Sequence, residues 1–315
     1  MSKRVLITSR SFGQVSEEPL NIFKENGIEV DFQNDEYNEE KFQSIIGNYD
    51  ALIIGAHEFS PKAMEKAKKL KIICKHGAGL DNINLEAAKK YNIRVTNVPA
   101  TNSNAVADLA FGLMLDVARK ISFAASRVKD GLWERVIGTD VCYKTLGVIG
   151  FGAIAKNVAK RAGGFGMKVL AYDPYVTDLP DGFPHVSLVT FEDVIKQSDF
   201  ISVHVPLNDA TRNLIGREQM EMMKKGAFII NTSRGGIVNE EALYEYLKNG
   251  HLAGAGLDVT EKEPPTGSPL LTLDNVTVVP HIGMYSKEAI NAVSVICARN
   301  VVKMLNNEQP DHIVV

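Results

Sequence analysis

Short runs of aliphatic and β-branched residues alternate with segments rich in Glu, Lys and Ala along the whole chain. VLIT (Val5–Thr8), ALIIG (Ala51–Gly55), KIICK (Lys71–Lys75) and IRVTNV (Ile93–Val98) form a first series. LGVIG (Leu146–Gly150), KVLAYD (Lys168–Asp173), FISVHVP (Phe200–Pro206), FIINTSR (Phe228–Arg234), GAGLDV (Gly254–Val259) and VTVVPHI (Val276–Ile282) form a second. Apolar runs without polar alternation suit strands covered on both faces, as in a parallel sheet with crossover helices. The second series therefore predicts a six-stranded doubly wound sheet. Asn239 caps one of its helices, with Glu240 and Glu241 in the first turn and Lys248 and Gly250 at the close. Two linkers join the series, one at Asn97-Val98-Pro99-Ala100 and one at Gly283-Met284-Tyr285-Ser286. Between them a long helix, Asn104 to Lys120, carries Val106, Leu109, Ala110, Leu113 and Val117 at helical spacing. Phe111 and Leu115 make its other faces apolar, so it is expected to be buried between domains or subunits. The helix from Lys287 onward is expected to return to the first domain, giving a domain of 1–98 and 287–315 and another of 99–286.

Two domains also suit a length of 315 residues. A hydrophobic fraction of 45% and a net charge of −3 describe an ordinary globular chain and give no reason to expect nucleic acid or a membrane as partner. No apolar run spans a bilayer, and the start lacks the long apolar stretch of a secretory signal. Cys74, Cys142 and Cys297 are too scattered for a disulfide framework or a zinc site. They fit a reducing cytoplasm and small core positions.

The candidate chemistry begins at Gly150-Phe151-Gly152-Ala153-Ile154-Ala155, directly after a strand and opening a helix. Gly150 permits a tight turn, Gly152 a close approach of backbone to a pyrophosphate, and the helix N-terminus supplies amide donors. Alone the motif also describes an empty turn. Asp173, at the end of the next strand about 20 residues on, stands where a carboxylate accepts hydrogen bonds from an adenosine ribose. A carboxylate there repels a 2′-phosphate, which favours NAD over NADP. Three more residues follow strand ends: Arg234, Glu263 and His281. Arg234 offers a bidentate fork to a carboxylate, His281 a proton to a carbonyl oxygen, and Glu263 a charge that orients the imidazole. Singly, each also reads as a surface charge or a turn histidine.

In order along the chain stand Gly77-Ala78-Gly79-Leu80-Asp81, Lys129-Asp130-Gly131-Leu132-Trp133, the Gly150 turn, Asp173-Pro174, His204-Val205-Pro206, Arg234-Gly235-Gly236, Asp258-Val259, Glu263-Pro264 and Pro280-His281-Ile282-Gly283. With these the chain resembles the D-isomer-specific 2-hydroxyacid dehydrogenases, and within them the phosphoglycerate dehydrogenase branch. The resemblance implies two Rossmann-like α/β domains, a doubly wound NAD-binding one and a smaller, discontinuous, flavodoxin-like one for substrate, with substrate held in the cleft. It implies an enzyme that interconverts a D-2-hydroxy acid and its 2-oxo acid with NAD, and a homodimer joined through the NAD-binding domains. Arg234 would bind substrate, Glu263 support the acid, and His281 donate the proton. Ala153, Ile154, Asp173, Val205, Pro206, Thr211, Thr232, Ser233, Asp258, His281 and Gly283 would line the cofactor. Lys75 and the amides of Ala78 and Gly79 would hold substrate from the other domain.

Overall resemblance points to 3-phosphoglycerate, the entry to serine synthesis, with hydroxypyruvate, glyoxylate or pyruvate as the alternatives. Gly55-Ala56 stand where phosphoglycerate enzymes carry an Arg-Ser pair, and Ala155 replaces the usual third glycine. Met284-Tyr285-Ser286 departs from the small-residue run that often follows His-Ile-Gly. His57 and His76 are expected near the substrate, and His204 either by the nicotinamide or in a structural role. His185, His251 and His312 are expected as loop or surface residues. No serine-sensing regulatory segment is expected after the returning helix. The competing reading is an NAD(H)-sensing module like the corepressors that share this fold, whose long extra tails are not expected here. No metal site is expected.

Overall fold

The computed structural model describes residues 2–33 and 37–315, which divide into two compact units. One comprises Met1–Asn102 with Met284–Val315, the other Ser103–Gly283. The first junction falls just past the linker at Asn97–Ala100 and the second falls within the linker at Gly283–Ser286.

The first unit is a parallel sheet of β1 (Lys3–Ile7), β2 (Ile28–Phe32), β3 (Ala51–Ile54), β4 (Ile72–Lys75) and β5 (Arg94–Thr96), in the order β2-β1-β3-β4-β5. Successive residues of a strand face opposite sides, and both sides are covered. Leu6, Leu52, Ile54 and Ile73 pack with Phe42, Phe59 and Met64 on one face. Val5, Ile7, Ile53 and Cys74 pack with Phe23 and with Val293, Cys297 and Val301 of the returning helix Lys287–Leu305 on the other. Ser286 caps that helix through the amide of Ala289. Strand β2 escaped the sequence pattern because IEVDF is an edge strand with alternating polar positions.

The second unit is a seven-stranded parallel sheet, not the six-stranded one expected. Its strands are β6 (Thr145–Ile149), β7 (Lys168–Tyr172), β8 (Val186–Leu188), β9 (Phe200–Val203), β10 (Ala227–Asn231), β11 (Leu252–Leu257) and β12 (Val276–Val278). They lie in the order β12-β11-β10-β9-β6-β7-β8. The strand not foreseen, β8, is a three-residue edge strand with too little apolar length to register. The helix Ser103–Arg119 is buried within this unit. Leu113 lies so near Gly256 of β11 that a Cβ there would sit 2.9 Å away, and Phe111 packs on Phe165 at 4.9 Å. Its apolar positions pack on its own sheet and on the helix Ala153–Gly164 beside it.

Cys74 and Cys297 are buried, but Cys142 is exposed, against the expectation that all three serve as core residues. Among the described residues no helix is long and apolar enough to cross a membrane.

Candidate active site

In the second unit, β6 and β9 are hydrogen-bonded neighbours, with Ile149 opposite Val203. The chain leaves this pair in opposite directions, so their carboxyl ends form the switch point at which open α/β sheets bind ligands. Gly150 sits there with φ +86°, and a Cβ on it would lie 2.6 Å from the His204 carbonyl oxygen. Only glycine satisfies both the left-handed backbone and the contact. Gly152 precedes the helix Ala153–Gly164, and the space its Cβ would enter is open. Gly152 and Ala153 are exposed and Ile154 half-buried, so the helix N-terminus is accessible to an anion. Ala155 is fully buried, so the third position of the motif tolerates a methyl group.

The Asp173 carboxylate accepts from the Phe151 amide at 2.8 Å and the Tyr175 amide at 2.9 Å. The first bond ties the end of β7 to the glycine turn. Each oxygen keeps lone-pair capacity for a further donor such as a ribose hydroxyl. At the ends of β9 and β10, His204 Nδ1 and Thr232 Oγ1 are buried without hydrogen-bond partners among the described residues. Burial pushes His204 down to about 4, so its imidazole is neutral, and its Nε2 pairs with Ser202 at 2.8 Å. An accessible helix terminus, a carboxylate with spare acceptors and two orphaned polar atoms along one strand edge fit a dinucleotide.

Several expected cofactor residues are already committed within the protein. Thr211 Oγ1 donates to the Pro206 carbonyl at 2.6 Å and braces that turn, while Ser233 Oγ donates to the Val203 carbonyl at 3.0 Å. Val205 packs against the glycine turn, where a Cβ on Gly150 would lie 2.8 Å from its Cγ1. Asp258 corrects its expected place on the cofactor surface. It is buried, and its two oxygens accept from the amides of Ile282 at 2.6 Å and Gly283 at 2.8 Å. Burial raises its pKa, against the pull of those amides.

The three catalytic candidates follow β10, β11 and β12. Asn231 folds the β10 loop by accepting from the Ser233 amide at 3.0 Å and donating to the Arg234 carbonyl at 2.9 Å. Gly235 then lies against the β11 loop so closely that a Cβ would be 2.0 Å from the Thr260 carbonyl oxygen. Thr260 in turn donates its amide to Glu263 at 3.3 Å. Glu263 Oε2 meets His281 Nδ1 at 2.9 Å. His281 adopts φ 51°, an uncommon conformation held by its amide bond to the Asp258 carbonyl at 3.0 Å. Glu263 is held below the usual carboxylate range. Burial alone would raise it, but the His281 hydrogen bond and charge outweigh that, with help from the positive Arg234. An ionised carboxylate only accepts, so Nδ1 carries a proton and Nε2 faces away, available to a reactant. Arg234 Nη1 also donates to the Ser233 carbonyl at 2.7 Å, which fixes the root of its guanidinium.

In the first unit, the amides of Ala78 and Gly79 have no acceptor among the described residues. The Lys75 ammonium donates to the Gly55 carbonyl at 2.6 Å and to Asn82 at 2.9 Å, joining two loops through neutral acceptors that leave its charge in place. His76 does not face a ligand. It is 4% exposed, with Nδ1 3.0 Å from Ser9 Oγ and Nε2 2.9 Å from Ser294 Oγ. His185 and His251 lie in loops, half-buried, bonded to the carbonyls of Ala159 at 2.8 Å and Met223 at 3.2 Å.

A doubly wound unit with a dinucleotide-type switch point and a carboxylate–imidazole pair over neighbouring strand ends defines a nicotinamide-dependent oxidoreductase class. Residues 111–283 match the model of the D-isomer specific 2-hydroxyacid dehydrogenase, NAD binding domain. The hydroxypyruvate reductase of Thermotoga maritima is 44% identical over 288 residues, 89% of this chain and 92% of that protein. The D-3-phosphoglycerate dehydrogenase of Methanocaldococcus jannaschii is 42% identical over 315 residues, 99% of this chain but 59% of that protein. This chain therefore spans somewhat over half the length of that second relative. A solved structure from Thermus thermophilus superposes with a TM-score of 0.91 at 36% identity, covering 99% of this chain and 100% of the other. The chain belongs to the D-isomer-specific 2-hydroxyacid dehydrogenase family, with NAD as the cofactor of its second unit.

Proposed function

We propose that the protein reduces a 2-oxo acid to the D-2-hydroxy acid, and reverses that reaction, with Arg234, Glu263 and His281 as its working residues. The observation that carries this reading is the 2.9 Å pairing of His281 Nδ1 with Glu263. NAD, when bound, supplies or accepts the hydride. Arg234 holds the substrate carboxylate. Protonated His281 gives its Nε2 proton to the carbonyl oxygen during reduction, and neutral His281 takes it back from the hydroxyl during oxidation. Glu263 keeps the ring oriented by accepting its Nδ1–H. Asp173 selects NAD over its 2′-phosphorylated counterpart.

The substrate we favour from overall resemblance is 3-phosphoglycerate and its oxo acid, which would place the enzyme at the entry to serine synthesis. Hydroxypyruvate is the rival, from the name of the Thermotoga relative. A reducing cytoplasm, suggested by three free thiols, and a homodimer complete the proposal. The dimer reading draws support from the helix Ile121–Lys129, none of whose residues is buried, and from Trp133 and Ile137, 85% and 90% exposed. The deciding experiment is NADH oxidation with phosphohydroxypyruvate, hydroxypyruvate, glyoxylate and pyruvate, in wild type and His281→Ala. Turnover by wild type and a loss of about 10²–10⁴-fold in the variant are expected. NADH binding without turnover of any of the four would instead mark a sensing module.

A further inference from the structure

Within the second unit, the loop after β11 carries Glu263, and only its root is anchored by burial. Thr260 at that root is 6% exposed, and its hydroxyl donates to the Lys262 carbonyl at 2.8 Å. Its amide reaches Glu263 Oε1 at 3.3 Å, a long bond for a carboxylate acceptor. Glu261, Lys262, Glu263 and Pro264 beyond it are all exposed. Packing therefore does not fix the stretch of backbone that aims the Glu263 carboxylate at His281.

That stretch is held instead by an exchange with the start of the helix Glu240–Lys248. Glu240 Oε1 accepts the Glu261 amide at 2.5 Å, and Glu261 Oε1 accepts the Glu240 amide at 3.4 Å. Glu240 is the first residue of its helix, so its amide has no partner inside the helix. Asn239 accepts the Ala242 amide at 2.8 Å and caps the same end. Ala242, Leu243 and Leu247 bury the other side of the helix in the sheet core. The exchange thus ties an exposed loop to a capped and packed helix.

The tie holds like charges near one another. Burial raises the pKa of Glu240, and the charges of Glu261 and Glu263 add to that rise, against the pull of the Glu261 amide. Free glutamate side chains at a surface would swing apart into water. Bonds from amides to carboxylates are charge-assisted and directional, and here they keep the side chains in place. The stronger of the two fixes the backbone of Glu261, two residues before Glu263. What the loop receives from position 240 is an oxygen acceptor at a set point, and the negative charge on it works against Glu263.

We propose that Glu240 is a positioning residue for the reaction: through the Glu261 amide it fixes the loop from which Glu263 orients His281. This rests on the proposed roles of Glu263 and His281. The test compares wild type, Glu240→Ala, Glu240→Gln and Glu261→Ala by two readouts. One is the single-turnover rate of NADH oxidation at saturating oxo acid, from the panel of four, with the concentration that gives half of it. The other is the NMR signal of the His281 Nδ1 proton, which needs no turnover.

Glu240→Ala should lower the saturating rate about tenfold, as a misplaced acid does, and change the half-saturating concentration less than about twofold. It should also move or broaden the His281 signal. Glu240→Gln should restore both readouts, because its side-chain carbonyl oxygen accepts the same amide. Glu261→Ala removes only the longer bond and should shift both in the same direction by less. An unchanged His281 signal in Glu240→Ala overturns the proposal, as does an unchanged saturating rate or a Glu240→Gln variant as impaired as Glu240→Ala. Should Glu240→Ala not fold, an unchanged His281 signal in Glu261→Ala overturns it. If wild type turns over none of the four oxo acids, the proposed function fails and the His281 signal alone decides the role of Glu240.

Discussion

Acid should weaken the first unit through one buried histidine, and the amount follows from its surroundings. The Ser294 hydroxyl donates to the Ile290 carbonyl at 2.7 Å, so it must accept from His76 Nε2–H, and Nδ1 accepts from Ser9. Both hydroxyls are thus arranged for a neutral ring. Burial, aided by the positive Lys75, pulls His76 down to about 4 from an ordinary 6.5. The unfolded chain therefore binds a proton that the folded chain refuses between those two values, and stability falls as pH drops through that window. Between pH 7 and pH 5 the loss works out at about 2 kcal/mol. Urea unfolding at both pH values, in wild type and His76→Asn, measures it. His204 contributes a similar slope to both proteins, so the difference between them isolates His76. Equal pH slopes, or a His76 ring that titrates near its ordinary value by NMR in the folded protein, would refute the reasoning.

Three further outcomes test the second unit. Glu263→Ala should lower kcat/KM for reduction by at least about tenfold, because the His281 imidazole loses the acceptor that holds its Nδ1–H; steady-state kinetics with NADH read this. Asp173→Ala should raise kcat/KM with NADPH relative to NADH, since the carboxylate that repels a 2′-phosphate is gone. Trp133→Glu with Ile137→Glu should convert a dimer into a monomer by light scattering, because a carboxylate buried in an apolar interface is costly to desolvate.

The strands most legible in the sequence carry long apolar runs, such as ALII of β3, every residue of which is buried. Strands β2 and β8 were missed because IEVDF alternates with polar residues and VSL is only three residues long, whereas β5 and β12, also at sheet edges, sit in longer apolar runs. Periodicity also showed apolar residues on more than one face of the helix Ser103–Arg119, yet it could not say against what they pack. The answer lay in Gly256, whose missing side chain lets Leu113 approach β11. That depends on a residue some 140 positions away, and no local window contains it.

The same division between local and distant information runs through the functional residues. The turn at Gly150 and the carboxylate at Asp173 were legible because helix capping and strand ends are local, and both have a spacing set by one βαβ unit. Charged residues on the substrate side were not, because a cation's role depends on what holds it in place. The Lys75 ammonium is oriented by Gly55 and Asn82 in the fold, a pairing no local window shows.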